Sequence, residues 1–231
     1  EPAPRPAPAD AASIEAAVAL LKNARRPGLF VGWGARDALA AVTAIAEHLQ
    51  APVATTLQGF SVFPAGHPLH CGFSFGPHAV PAARNAFADC DVLLAVGTRF
   101  AEIATGSFGA PVPGTLIHVD INPAALNANY PTRVAIAGDA TVVLPQLAQA
   151  LRAAGPARPD DAALKARIAA DKAAYRQSWY DHRGNGRVNP ARFFDALRAA
   201  NPPEAVTVVD DGNHTYLTAE LYPVLGAKTA I

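Results

Sequence analysis

Five short apolar runs in the sequence are each followed by small, hydroxyl or acidic residues. The runs occupy 28–32, 52–56, 91–97, 115–120 and 133–138. They are continuous rather than alternating, which is typical of strands buried on both faces of a parallel sheet. The residues that end or follow the runs would project to one edge of that sheet, where ligands of such folds bind. They are Gly32, Gly34, Thr55, Thr56, Gly97, Thr98, Arg99, Asp120, Asn122, Gly138 and Asp139.

This set of residue types suits a nucleotide. Glycine amides and helix N-termini hold a diphosphate, acids accept ribose hydroxyls, and an arginine supplies charge. The turn GWGARD (32–37) has the first two glycines of G-x-G-x-x-G, but Asp37 stands at the third. The two glycines therefore leave ligand contact and tight-turn packing both open. Asp120 and Asp139 could accept ribose hydroxyls or only cap the helices that follow them.

Helical patterns lie between or after these runs and extend beyond them. We expect helices at 14–25, capped by Ser13, at 36–50, 79–89 and 140–153, and a short one from Pro123. The alternation predicts an α/β fold: a doubly wound, Rossmann-like parallel sheet of about five or six strands flanked by helices. A linker at 152–160 marks a domain boundary, followed by a helical C-terminal extension with helices at 161–180 and 189–200. Residues 205–224 have the pattern of a strand, a loop and a helix start.

Composition excludes several classes of protein. Lys plus Arg and Asp plus Glu both number 19, which predicts neither a nucleic-acid nor a membrane partner. No run approaches the ~18 apolar residues of a membrane span. Two cysteines and the absence of a secretory segment favour the cytoplasm. The chain has no methionine and opens on the proline-rich EPAPRPAPAD, from which we expect a linker at 1–12 and an interior piece of a longer protein.

Other candidate clusters favour structural roles. His67, His70 and Cys71 in HPLHC could suggest a metal site, but a turn-rich loop explains the segment as well, and we predict no metal ligand. His118, inside a predicted strand, is expected to be a hydrogen-bonded core histidine. Cys90 lies between two aspartates and is expected to be a packing residue. No G-x-S-x-G motif supports a hydrolase.

The order of several motifs is more specific than any one of them. PVATTLQGFSVFPAGHPLHCG (52–72), DVLLAVGTRF (91–100), LIHVDINPAAL (116–126) and VAIAGDA (134–140) carry T-L-x-G, G-x-R-F, H-x-D-I-x-P and G-D in sequence. In this order they resemble the central domain of thiamine-diphosphate-dependent enzymes of the acetolactate synthase type, from residue 13 to about 153. From 205 onward the sequence is similar to the start of that family's C-terminal domain, with Gly212, Asn213 and His214 at its G-Q-H segment.

The resemblance implies a three-domain enzyme that acts on 2-keto acids such as pyruvate, as a transferase or lyase. Its N-terminal domain carries the activating glutamate, and its C-terminal domain holds thiamine diphosphate and Mg²⁺ through a G-D-G … N motif. The central domain binds FAD or ADP in some members. Neither the glutamate's domain nor that motif is found here, so residues 13–154 would be the central nucleotide-binding-like domain. Residues 155–188 would be linker and helix, and 189–231 the truncated start of the C-terminal domain.

The resemblance also implies site residues and partners. We expect no catalytic residue in this piece, no activity from it alone, and a bacterial homo-oligomer for the full-length enzyme. Gly212, Asn213 and His214 would contact thiamine diphosphate in the full-length protein. The nucleotide in the central domain would contact Gly32, Gly34, Thr56, Leu57, Gly76, Gly97, Thr98, Arg99, Asp120, Ile121, Asp139 and Ala140.

The sequence departs from the family's flavin binders at two places, so the identity of the nucleotide is left undecided. GFSFGPHA (72–79) is one residue out of register with their glycine-rich segment, and Ala101 and Glu102 stand where they carry acids. FAD, ADP, another nucleotide and an empty cleft remain possible. A stand-alone nucleotide-binding module, similar to an electron-transfer flavoprotein or a deacylase, is the alternative from another class, although two cysteines cannot build the deacylases' four-cysteine zinc module. A purely structural domain with a vestigial cleft is the third interpretation.

Overall fold

Six parallel strands form one sheet in the order β3-β2-β1-β4-β5-β6. The computed structural model describes residues 9–226 and 228–230, so most of the linker predicted at 1–12 lies outside the described residues. The strands are β1 (Pro27–Val31), β2 (Val53–Thr55), β3 (His70–Phe73), β4 (Val92–Val96), β5 (Leu116–Asp120) and β6 (Val134–Ala137). Every neighbouring pair is parallel, which confirms the predicted fold class.

The helices fall into two packing groups. They are α1 (Ala11–Asn23), α2 (Leu39–Leu49), α3 (Pro81–Ala86), α4 (Ala140–Ala154), α5 (Ala162–Asp181), α6 (Pro190–Ala200) and α7 (Asn213–Leu221). α4 packs against α1 and α2, whereas α3 packs against β3 and α5. Chain order reverses between β1 and β4, so right-handed crossovers place α2 and α3 on opposite faces of the sheet. The described residues contain no helix with the length and apolarity that crossing a membrane requires.

One predicted helix cap is wrong, and one short helix is confirmed. The cap of α1 is Asp10, whose carboxylate accepts a hydrogen bond from the Ser13 amide at 3.0 Å, so Ser13 is the capped residue and not the cap. The short helix predicted from Pro123 is present as a single 3₁₀ turn, Pro123–Ala125, capped by Asn122.

The segment HPLHC is not only a turn-rich loop. Residues from His70 onward form the edge strand β3, which pairs with β2 across a register shift between Val53 and Ala54. Cys71 and Phe73 are buried there. Conversely, the strand predicted after 205 is reduced to one bridge between Thr207 and Ala230.

Candidate functional site

Glycines bring the turns after β1 and β4 into backbone contact. The Gly34 amide donates a hydrogen bond to the Gly97 carbonyl at 3.1 Å. A Cβ on Gly32 would lie 2.2 Å from the Gly97 oxygen, and a Cβ on Gly97 would lie 2.5 Å from the Gly34 Cα. On the other side, a Cβ on Gly59 would lie 2.9 Å from Gly32. Tight packing is therefore one role of these glycines, because no larger residue fits between the turns.

A cleft of about 220 Å³ opens beside this contact, at the reversal of chain order where such folds bind ligands. It is formed by the carboxyl ends of β1, β4, β5 and β6 and by the first turn of α4. Its lining residues are Gly34, Arg36, Asp37, Gly97, Val119, Asp120, Ile121, Gly138, Asp139, Ala140 and Thr141. The cleft thus brings together Gly34, Gly97, Asp120, Ile121, Asp139 and Ala140 from the predicted nucleotide contacts.

Asp120 and Asp139 each accept a backbone hydrogen bond through one carboxylate oxygen, and Asp139 is the helix cap of the two. Asp120 Oδ1 accepts a hydrogen bond from the Asn122 amide at 2.8 Å. Asp139 Oδ1 accepts from the Thr141 amide at 2.8 Å and from its hydroxyl at 2.6 Å, which caps α4. Within the described part of the chain, neither Oδ2 accepts a hydrogen bond. Capping and ligand contact are therefore compatible, since a carboxylate has two acceptor oxygens.

The arginine that lines this cleft is Arg36 and not Arg99. The Arg36 guanidinium lies 5.1 Å from the centre of the Trp33 ring and pairs with Asp37 at 3.4 Å. The Arg99 side chain is exposed, and its carbonyl accepts a hydrogen bond from Asn129. Sequence reasoning missed Arg36, although its place in the GWGARD turn was a signal that could have found it.

Charge in the cleft is unevenly divided. Its lining holds one arginine and three aspartates, so negative charge exceeds positive. The Lys228 ammonium pairs with Asp37 from the C-terminal segment, and this hydrogen bond lowers the pKa of the Asp37 carboxyl. An uncharged sugar with hydroxyl donors suits the acidic end of the cleft better than a phosphate does.

The remaining predicted contacts of the nucleotide support the loops. Thr56 accepts a hydrogen bond from the Gly59 amide at 3.0 Å, and buried Leu57 follows it. The Thr98 hydroxyl accepts from the Phe100 amide at 3.3 Å. A Cβ on Gly76 would lie 2.6 Å from Pro111. These residues, with Gly32, pack the turns behind the cleft and do not line it.

His118 is a hydrogen-bonded core residue, as predicted. Its Nε2 lies 2.7 Å from the Thr98 carbonyl, an acceptor, so Nε2 carries a proton. Burial lowers the pKa of His118 below its ordinary value, which favours the neutral imidazole.

The residues of HPLHC have separate partners. His67 Nε2 lies 3.4 Å from a Glu47 carboxylate oxygen, His70 Nδ1 lies 3.0 Å from the Lys172 ammonium, and the Cys71 thiol donates to the Leu69 carbonyl. Residues 9–226 and 228–230 contain no group of three His, Cys, Asp or Glu side chains arranged for a metal ion. Burial raises the pKa of Cys71 and of Cys90 to about 12, so Cys90 is a packing residue as predicted.

One known family matches the part of the chain that forms the sheet. The family described as thiamine pyrophosphate enzyme, central domain, matches residues 14–147. The chain belongs to this family. The resemblance seen in the ordered motifs is thereby confirmed.

The relatives that this chain matches are proteins longer than the chain itself. Sulfoacetaldehyde acetyltransferase of Rhodobacter capsulatus is 34% identical, covering 97% of this chain and 41% of the relative. Acetolactate synthase isozyme 2 large subunit of Escherichia coli is 33% identical, with coverage of 90% and 37%. A probable 2-ketoarginine decarboxylase of Pseudomonas aeruginosa is 38% identical, with coverage of 68% and 28%. The chain therefore spans less than half the length of each of these relatives.

Outside the central domain, the segment similar to the family's G-Q-H begins a helix. Gly212 is the N-cap of α7, and Asn213 is its first residue. The Asn213 and His214 side chains are exposed. Free amides of a first helical turn, next to an amide and an imidazole side chain, are suitable donors for a diphosphate.

Proposed function

We propose that this chain is the central scaffold of a thiamine-diphosphate-dependent carboligase or decarboxylase that acts on 2-keto acids. We further propose that its own cleft binds an adenine nucleotide, either ADP or the ADP half of FAD. Family membership supports the first statement, and so do the names of the relatives, which include a synthase, an acetyltransferase and a decarboxylase. For the complete enzyme we propose a homo-oligomer in the bacterial cytoplasm.

The nucleotide proposal rests on two carboxylates that lie where the order of the strands in the sheet reverses. In each, only one oxygen accepts a hydrogen bond from the described residues. Asp120 and Asp139 line one cleft, each with a carboxylate oxygen that accepts no hydrogen bond from the described residues, and ribose hydroxyls are donors that suit such acceptors. Arg36 and the Gly34 turn also line this cleft and would suit the diphosphate.

The thiamine cofactor would meet this chain at α7. When bound in the complete enzyme, thiamine diphosphate supplies the carbanion that attacks the keto acid. Gly212, Asn213 and His214 would bind and orient its diphosphate. No residue of this chain is assigned to Mg²⁺, so its protein ligands would come from outside these residues. We accordingly propose that the chain alone binds nucleotide and does not turn over 2-keto acids.

Titration with ADP and with FAD tests the cleft directly. A nucleotide at a hundred times its Kd would stabilise the native chain by about 2.7 kcal/mol and raise Tm. D120N removes the charge that strengthens a hydrogen bond to ribose, so affinity should fall about tenfold. D89N is the matched control, because Asp89 is exposed and comes before β4 rather than after it.

Each result of this experiment has a defined meaning. A rise in Tm with FAD, together with visible absorption of the repurified protein, identifies a flavin site. A rise with ADP alone identifies a site for the ADP part. Unchanged Tm with both ligands contradicts the nucleotide proposal and supports the vestigial-cleft interpretation.

A further inference from the structure

A second cavity, of about 190 Å³, lies between the edge of the sheet and the C-terminal helices. His70 and Cys71 of β3 line one wall, the N-cap Val80 and Ala82 of α3 line another part, and α5 contributes Lys172. It is separate from the nucleotide cleft, because the two share no lining residue. Nothing in the proposed function uses it.

Lys172 is a half-buried ammonium group without a carboxylate partner. Its Nζ donates hydrogen bonds to the Ala65 carbonyl at 3.2 Å and to His70 Nδ1 at 3.0 Å. Across the described ranges, 9–226 and 228–230, no acid forms an ion pair with it, and the neighbouring Asp171 carboxylate accepts from Asn85. A lysine has three N–H donors, so one remains.

His70 does not offset this charge. An ammonium can only donate, so His70 Nδ1 must be the acceptor, and the neutral ring carries its proton on Nε2. Burial lowers the pKa of His70 well below its ordinary value, and the adjacent Lys172 lowers it further. Burial also lowers the pKa of Lys172 to about 8, so the amine is mainly protonated at pH 7. The cavity therefore contains a positive charge that the protein solvates poorly.

The other charged groups of the cavity limit what can bind. The Arg176 guanidinium pairs with Asp195 and donates to the Leu221 carbonyl, so it is already neutralised. Glu220 also lines the cavity, and its carboxylate accepts a hydrogen bond from the Tyr175 hydroxyl. A ligand with one negative charge gains from Lys172, whereas a second charge is repelled by Glu220. Apolar side chains such as Val80 and Ala82 suit a short alkyl group.

We infer that this cavity binds a short monocarboxylate, whose carboxylate oxygen accepts a hydrogen bond from the remaining N–H of Lys172. The bound anion neutralises the buried ammonium and ties α5 to β3 and α3. The ligand raises the affinity of Lys172 for its proton, so binding weakens as the pH rises above about 8.

Acetate is the probe for this site, with potassium chloride at equal ionic strength as the reference. The wild-type chain should show saturable binding of acetate by calorimetry and a Tm rise that chloride does not give. K172M should weaken acetate binding at least tenfold, because among the described residues Lys172 is the one cation lining the cavity that no carboxylate pairs. K165M is the control: Lys165 lies two turns earlier on α5, pairs with Asp160, and does not line the cavity.

A second measurement on the wild-type chain covers the case in which K172M does not fold. Acetate should slow the modification of Lys172 by an amine-reactive reagent, read by peptide mass spectrometry, and leave Lys165 unchanged. The inference is overturned if K172M binds acetate as the wild type does, if chloride gives the same Tm rise, or if acetate does not protect Lys172. Phosphate that binds more tightly than acetate at pH 7 would also overturn it, since the site would then prefer more than one charge.

Discussion

The amide of Gly34 donates a hydrogen bond to the carbonyl of Gly97, and the two backbones touch where β1 and β4 end. The contact joins turns that are 63 residues apart in sequence, and both glycines line the cleft of about 220 Å³. Since a Cβ on either residue would overlap the other turn, the shape of the cleft depends on both positions being glycine.

Replacing Gly97 by alanine should destabilise the chain by about 2 kcal/mol or more. Gly97 has φ +60°, which is strained for other residues, and the new Cβ would lie 2.5 Å from Gly34. Urea denaturation of G97A measures the loss. G66A is the control, since Gly66 has no neighbouring atom within 4 Å of the added Cβ. Equal stabilities of the two variants would contradict the packing role of Gly97.

Two substitutions of Asp139 separate its capping role from its charge. D139A removes the acceptor of the Thr141 amide and should lower the free energy of unfolding by about 1 kcal/mol. D139N keeps a capping oxygen and should stay within a few tenths of wild type. Both should weaken ADP binding, measured by calorimetry. If D139N bound ADP as tightly as wild type, the carboxylate charge would have no part in binding.

Stability should fall as the pH decreases from 7 to 5, and His70 should account for part of the fall. Its pKa in the folded chain is well below 6.5, so below that pH the unfolded state takes up a proton that the folded state does not. One such histidine contributes a slope of up to about 1.4 kcal/mol per pH unit. H70Q keeps an acceptor for Lys172 and should show a shallower slope in denaturation at several pH values.

The control for this pH dependence is H182Q, because His182 is exposed. Its slope should match that of the wild type. The pKa values of His48 and His118 are also lowered, chiefly by burial, so some slope should remain in H70Q. Identical slopes in H70Q and wild type would show that His70 does not titrate as described.

Both cysteines should react slowly in the native chain. The pKa of each thiol is raised from 9 to about 12 by burial, so about a thousandfold less thiolate is present at pH 8 than in the unfolded chain. Labelling with a thiol reagent, with and without denaturant, measures the ratio of rates. Native labelling as fast as that of the unfolded chain would contradict the burial of both groups.

Features that depend on local pattern could be predicted from the sequence. Continuous apolar runs located β1, β2, β4, β5 and β6, and the rule that ligands bind at strand ends located Asp120, Gly138 and Asp139 of the cleft. β3 was missed because its four residues include His70 and Gly72, and because its pairing with β2 is shifted. A strand this short is specified by its neighbours more than by its own residues.

Contacts between distant segments could not be predicted in the same way. Lys228, near the end of the chain, forms an ion pair with Asp37, which lies early in the sequence. Lys172 of α5 donates a hydrogen bond to His70 of β3. The segment 152–160 looked like a free linker, yet the Arg158 guanidinium donates to the Ala24 carbonyl at the end of α1. Such pairs follow from the packing of whole elements, which periodicity does not encode.

Backbone amide NMR with ADP tests the central claim most directly, because it locates the ligand without any substitution. The cleft predicts saturable shifts of the amides in 34–37, at Gly97, in 120–121 and in 138–141. The amide signals of residues at the amino ends of the strands, such as Asp89 and the residues next to Pro27, should not shift. Shifts confined to the amino ends of the strands, or no shifts at saturating ADP, would contradict the account.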